Sequence, residues 1–288
     1  AEGESNKSYG NFSHAEGYNT TAGGNYSHAE GYETLANGQS SHAEGYNTTA
    51  SGNFSHSEGI GAKATSDYSH AEGSNTAANG QASHAEGSTT EASGQSSHAE
   101  GSGTKSKSTN SHAEGYNSTA SGDSSHAEGY NTTASGKSSH AEGSTTKATS
   151  DYSHAEGQGA TASGQASHAE GFITNARFDY SHAEGYSTTA IGPACHAEGY
   201  ETTASSQASH AEGGYTTASG LFSHAEGAYN VASGAAAHAE GSGTIANGMA
   251  QHVGGMYNIP DETSLEIIGN GTDTDARSNA RTLDASGN

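Results

Sequence analysis

The chain has a single cysteine in 288 residues, and only 29% of its residues are hydrophobic. One cysteine, Cys195, excludes a disulfide framework and any Cys-x-x-Cys chemistry. It occupies a position filled elsewhere by Ser or Ala, so it reads as a small buried residue. There is no run of 18 apolar residues to span a bilayer as a helix, and no signal peptide opens the sequence. Membrane insertion is therefore not expected. Basic residues number 9 against 32 acidic ones, for a net charge of −23, and no nucleic-acid partner is expected. The 42 glycines recur at spacings of 7 and 14 instead of 3, which excludes collagen, and the lack of an apolar heptad excludes a coiled coil. The first residues, Ala1-Glu2-Gly3, are the tail of a repeat and suggest a piece or processed product of something longer.

What is present is a register. Eighteen histidines follow one another at intervals of 14 residues without an insertion or deletion: His14, His28, His42, His56, His70, His84, His98, His112, His126, His140, His154, His168, His182, His196, His210, His224, His238 and His252. Composition this poor in apolar residues would ordinarily mean disorder, but a disordered tract has no reason to hold a phase. A fixed period with constant path length means one structural unit stacked on the next.

Numbered from the residue before each His, the repeat is S-H-A-E-G-x-x-T-x-A-x-G-x-x, as in Ser13 to Tyr26. Side chains alternate across a strand, so Ser and Ala of slots one and three face one way while His and Glu face the other. A second short strand places Thr of slot eight and Ala of slot ten on a common face. The small residues, such as Ser13, Ala15, Thr20 and Ala22, are expected to line a space too narrow for anything larger. Gly in slot five and Gly in slot twelve mark two corners that need positive φ or close packing. The reading is an all-β parallel solenoid with 14-residue coils and two short strands per coil. At about 4.8 Å per coil, some 18 coils over residues 1–256 would extend roughly 85 Å. Residues 257–288 form a separate C-terminal β segment.

The S-x-A-x-G element followed by x-x-T-x-A-x-G at this period resembles the left-handed parallel β-roll heads of YadA-type trimeric autotransporter adhesins. That resemblance implies a parallel homotrimer in which slots one and three face into each roll and slots two and four face the other two chains. The family's Val and Ile at those interface slots are here His and Glu. The C-terminal elements Ile268-Gly269-Asn270-Gly271-Thr272, Ala276-Arg277-Ser278-Asn279-Ala280 and Thr282-Leu283-Asp284 resemble the segment that joins such repeats to an autoproteolytic intramolecular chaperone in tail proteins of phages and prophages of Gram-positive bacteria. The resemblance implies that a chaperone of this kind would begin near residue 288.

Glu follows each His except His252 by two residues: Glu16, Glu30, Glu44, Glu58, Glu72, Glu86, Glu100, Glu114, Glu128, Glu142, Glu156, Glu170, Glu184, Glu198, Glu212, Glu226 and Glu240. With Glu2 they carry most of the net charge along one stripe. On a three-fold axis, one like-charged pair at 4 to 5 Å would cost roughly 3 to 4 kcal/mol at an effective dielectric of ~20, so the imidazoles must answer the carboxylates. We expect a trimer-axis His/Glu ladder whose role is to fix register among chains. Carboxylate neighbours would raise the imidazole pKa values in such an assembly, giving stability that is full at low pH and lost as pH rises. A metal or anion on the three-fold axis is compatible with the same rings. The H-x-E pattern without Cys is more simply explained by packing, so no metal ligand and no cofactor are assigned. Near-identical copies without cleft residues do not make an active site, and no catalytic residue is assigned. A solvent-facing stripe is the remaining alternative.

Slot six carries Tyr18, Tyr32, Tyr46, Tyr116, Tyr130, Tyr186 and Tyr200, and slot fourteen carries Phe12, Tyr26, Phe54 and Tyr68 among others. These aromatics either pack at corners between chains or, for the slot-six tyrosines, contact a host glycan. Ranks of Thr suggest ice binding, but slot eight faces inward and slot nine varies, so a flat Thr face is missing. The sequence is read as a structural shaft of a phage or prophage tail, a trimeric extracellular spacer and candidate host-surface binder. The alternative is the head of a bacterial cell-surface adhesin.

Overall fold

The computed structural model describes residues 1–288 and contains strands, turns and bends without a helix. The chain divides into two compact units, Ala1–Thr145 and Thr146–Asn288. Each is a parallel β-solenoid with 14-residue coils.

In the first unit a coil is built from a five-residue strand, such as His28–Tyr32, and a two-residue strand, such as Leu35–Ala36. Identical slots pair across coils. His28 lies opposite His42, Glu30 opposite Glu44 and Gly31 opposite Gly45. On the other side Thr21 pairs with Leu35 and Ala22 with Ala36. An inserted residue would throw one ladder out of register with the other, which is why none occurs.

The corners are tighter than the sequence suggests. Slot seven and slot fourteen both adopt the left-handed conformation, at Asn19 (φ 55°) and Asn47 (φ 56°) in one and Tyr26 (φ 60°) and Phe54 (φ 57°) in the other. Asn tolerates this region, whereas a ring at slot fourteen is strained unless the ladder holds it. The two repeating glycines serve different ends. Gly31 has φ +115° and lies so close to the next coil that a Cβ would sit 2.1 Å from the Gly45 carbonyl oxygen. Gly24 has ordinary φ, but a Cβ there would sit 2.0 Å from the Gly38 oxygen.

The interior is filled by one methyl or hydroxyl per slot. Ala15, Ala22, Ala29 and Ala36 are fully buried, with Thr20, Ser27 and Thr34 beside them. The slot-one hydroxyls turn back on the preceding corner: Ser27 Oγ donates to the Gly24 carbonyl at 2.7 Å and Ser41 Oγ to that of Gly38 at 2.8 Å. Cys195 substitutes for this serine. It is buried, its Sγ lies 3.1 Å from Gly192 N and 3.3 Å from Ala204 O, and burial pushes its thiol pKa up.

The second unit begins with similar coils, for example His168–Phe172 and His182–Tyr186. The first strand then shortens to two residues at His210–Ala211, His224–Ala225 and His238–Ala239, and recovers at His252–Met256. The 14-residue register continues one coil further, because Ser264–Asn270 pairs in parallel with His252 opposite Glu266. Val253 and Ile267 replace Ala in slot three and are fully buried. Gln251 fills the serine slot: its Oε1 accepts from Asn247 N and Gly248 N while its Nε2 donates to Ser264 O at 2.7 Å. An antiparallel strand, Asn279–Asp284, covers the last parallel edge. Arg277 anchors this cap by donating to the carbonyls of Gly243 at 2.7 Å and Asn258 at 3.1 Å.

Candidate functional site

Parallel in-register pairing places every slot-two and slot-four side chain on one face of each unit. The imidazoles stack with ring centroids 4.8 Å apart at His84 and His98 and again at His112 and His126. The spacing is that of the backbone ladder itself. His is half-buried and Glu lies beside it, so His and Glu form a ladder within one chain.

Its chemistry depends on which carboxylate meets which ring. In the first unit each Glu faces the imidazole of its own coil: His28 to Glu30 is 3.7 Å, His84 to Glu86 is 3.4 Å and His112 to Glu114 is 3.5 Å, all from Nε2. Near the end of the second unit the partner changes. His224 Nε2 lies 3.5 Å from Glu212, His252 Nε2 lies 3.3 Å from Glu240, and His238 Nε2 donates to Glu226 at 2.9 Å, so each Glu now serves the following coil. His210 lies between the two arrangements, 3.4 Å from Glu198 and 4.0 Å from Glu212. The sequence holds no sign of this change in the His or Glu slots. Gly214-Tyr215 and Ala228-Tyr229 change slots six and seven in two of these coils, but Ser242-Gly243 in a third repeats the Ser102-Gly103 of a coil with a five-residue strand, so those slots do not carry the signal either.

Most of these Nε2 atoms are shielded from solvent and lack a hydrogen bond, among them those of His84, His98, His112 and His126. In the single chain burial outweighs the carboxylates. His84 is held below the ordinary imidazole range first by desolvation and next by the like charge of His98, with Glu86 and Glu72 opposing. His112, His168 and His196 move the same way for the same first reason. This is opposite to the rise that carboxylate neighbours alone would give, because a half-buried stack of bases resists charging.

The slot-six tyrosines form ladders too. Tyr18, Tyr32 and Tyr46 stack at 5.0 Å, Tyr116 and Tyr130 at 5.3 Å, and Phe172, Tyr186 and Tyr200 at 5.1 and 4.8 Å. All seven tyrosines are exposed, but each ring packs against the next, so edges and hydroxyls dominate what solvent meets. Tyr200 ends its ladder edge-on to Tyr215, and the hydrogen bond that its hydroxyl makes to that neighbour raises its phenol to about 12.

Two stretches, residues 29–55 and 113–139, match the YadA head domain repeat family. The coils are YadA-like. No curated protein matches the chain. In these coils the slots that carry His and Glu form the outer face of each unit. No helix is long and apolar enough to cross a membrane.

Proposed function

We propose that the chain is a structural element of an extracellular, adhesin-like fibre that assembles as a parallel homotrimer. The observation that carries this reading is the His/Glu face that each unit presents. It presents buried but unsatisfied imidazole nitrogens beside ionised carboxylates, an arrangement that gains most from partner groups on other chains. An interior of methyl and hydroxyl groups supports the same reading, because so thin a core leaves each chain with little apolar burial of its own. The ladder on a common axis would penalise slipped alignments, since each ring of His and Glu is satisfied only opposite its own kind. Sedimentation equilibrium at micromolar concentration is expected to give three chains, and a monomer would refute the assembly.

Within that reading, the C-terminal motif between Ile268 and Asp284 favours the tail of a phage or prophage virion, with the YadA-like coils as spacer. The matched YadA repeats favour the head of a bacterial surface adhesin equally well. Localisation to purified virions or to cell envelopes by antibody labelling distinguishes them. For either, the exposed slot-six tyrosines are proposed as glycan contacts through their hydroxyls and ring edges. Replacing Tyr18, Tyr32, Tyr46, Tyr116, Tyr130, Tyr186 and Tyr200 by Ser should abolish retention on host cell-wall glycan, and unchanged retention would exclude them.

A further inference from the structure

We propose that the His/Glu face is a multivalent transition-metal site, each ion held by His and Glu of one coil and His of the next, as in His84–Glu86–His98 and His112–Glu114–His126. The proposal goes beyond the fibre reading and does not depend on trimerisation, because all three donors come from one chain.

Geometry carries it. The donor atoms of these triads, one per residue, lie within 4.8 Å of one another. Two ligands each at about 2.0 to 2.1 Å from a tetrahedral zinc ion stand about 3.4 Å apart. His84 Nε2 and Glu86 Oε2 are 3.4 Å apart and His112 Nε2 and Glu114 Oε2 are 3.5 Å apart. That spacing is long for a hydrogen bond and right for a shared ion. The third donor needs only a pivot of the stacked ring, which starts with its centroid 4.8 Å from its neighbour's.

The electronic argument points the same way. Nε2 of His84, His98, His112 and His126 is screened from water and has no hydrogen bond, while an ionised carboxylate can only accept. With the imidazole proton on Nδ1, the Nε2 lone pair and the carboxylate oxygen are two acceptors facing each other without a donor. A cation between them satisfies both. Two imidazoles and a carboxylate suit zinc, with the fourth position left to water.

The repeat also fixes an occupancy rule. Each Nε2 has one lone pair, so His98 can complete the site of Glu86 or found the site of Glu100. Filling His84–Glu86–His98 and His112–Glu114–His126 therefore excludes His98–Glu100–His112. Ions should occupy alternate coils.

The test uses the full chain, Zn2+ alone, and diffraction at the zinc edge from crystals grown at pH 7.5. Anomalous peaks are expected between the three named donors, spaced two coils apart. Zinc retained after desalting should fall by about half when Glu72, Glu86, Glu100, Glu114 and Glu128 are all changed to Gln, with circular dichroism checking that the coils persist. Peaks elsewhere, one ion shared by the same histidine of three chains, or retention unchanged by the substitutions would each overturn the proposal. The wild-type diffraction result stands even if the quintuple variant does not fold.

Discussion

The coils of Ala1–Thr145 and the coils between His210 and Ala246 repeat the same H-A-E-G element, yet they use it differently. In the first region the strand runs five residues and the carboxylate faces its own imidazole. In the second it stops after two residues and the carboxylate faces the imidazole of the following coil. The ladder is not broken there: Gly214 N still donates to Gly227 O at 2.8 Å and Ala228 N to Gly241 O at 3.0 Å. In two of these coils the position of the aromatic also changes. Tyr at slot six ends a straight strand, whereas Tyr215 and Tyr229 stand at slot seven with φ of 58° and 59°, after a small residue. The third coil of this kind, that of His238–Ala239, carries Ser242-Gly243 just as the coil of the five-residue strand His98–Ser102 carries Ser102-Gly103, so these two slots alone do not set which imidazole the carboxylate meets.

The largest test breaks what the two regions share. Gly87→Ala and Gly241→Ala each place a Cβ 2.1 Å from the next coil's carbonyl oxygen, at φ of +104° and +97°. Both should cost more than about 3 kcal/mol, measured by chemical denaturation. If Gly241→Ala is tolerated, the bent coils are looser than the straight ones.

Overpacking comes next. Ala85→Leu and Ala225→Leu put three extra carbons into sites that are fully buried in both regions. Each is expected to cost at least about 1 to 3 kcal/mol, and a difference between them would locate the more compliant interior.

The pH dependence of stability is a medium effect with a definite sign. For His84, His112 and His196 the folded pKa lies below the ordinary value of 6.5. The unfolded chain therefore binds more protons near that pH. Stability should be full above about 6.5 and fall as the solution is acidified toward the folded pKa values. The groups facing His84 are His70, His98, Glu86 and Glu72. Melting curves from pH 8 to 5 with chelator present should show Tm decreasing. A Tm that instead rises on acidification would mean that carboxylates from other chains dominate the imidazoles.

The smallest effect sharpens the comparison most. Glu226→Gln removes a carboxylate at 2.9 Å from its imidazole, whereas Glu86→Gln removes one at 3.4 Å. In metal-free protein the first should cost under about 1 kcal/mol and the second close to nothing, read from double-mutant cycles with His238 and His84. Equal coupling would mean that the two arrangements are energetically the same.

Much of this was legible beforehand because a period of 14 with no insertions admits few structures. The alternation S-H-A-E correctly assigned Ser27 and Ala29 to the interior and His28 and Glu30 to the outside, since a strand's faces alternate regardless of what they touch. The Cys195 position was readable for the same reason: it occupies a buried slot. The left-handed conformation at Tyr26 was not readable, because an aromatic carries no preference for positive φ and only the ladder imposes it. Asn19 and Asn47 at slot seven were the available hint.

The sequence by itself determined the coil length, the inside and outside of each strand, and the presence of a His/Glu stripe, since these follow from spacing and side-chain alternation. Only the tertiary structure decided whether Glu226 meets His224 or His238, that the rings of Tyr18 and Tyr32 cover one another, and that Nε2 of His84 is screened without a donor. Those outcomes depend on differences of an ångström or two in how neighbouring coils lean, and a one-dimensional pattern of residues does not record that distance.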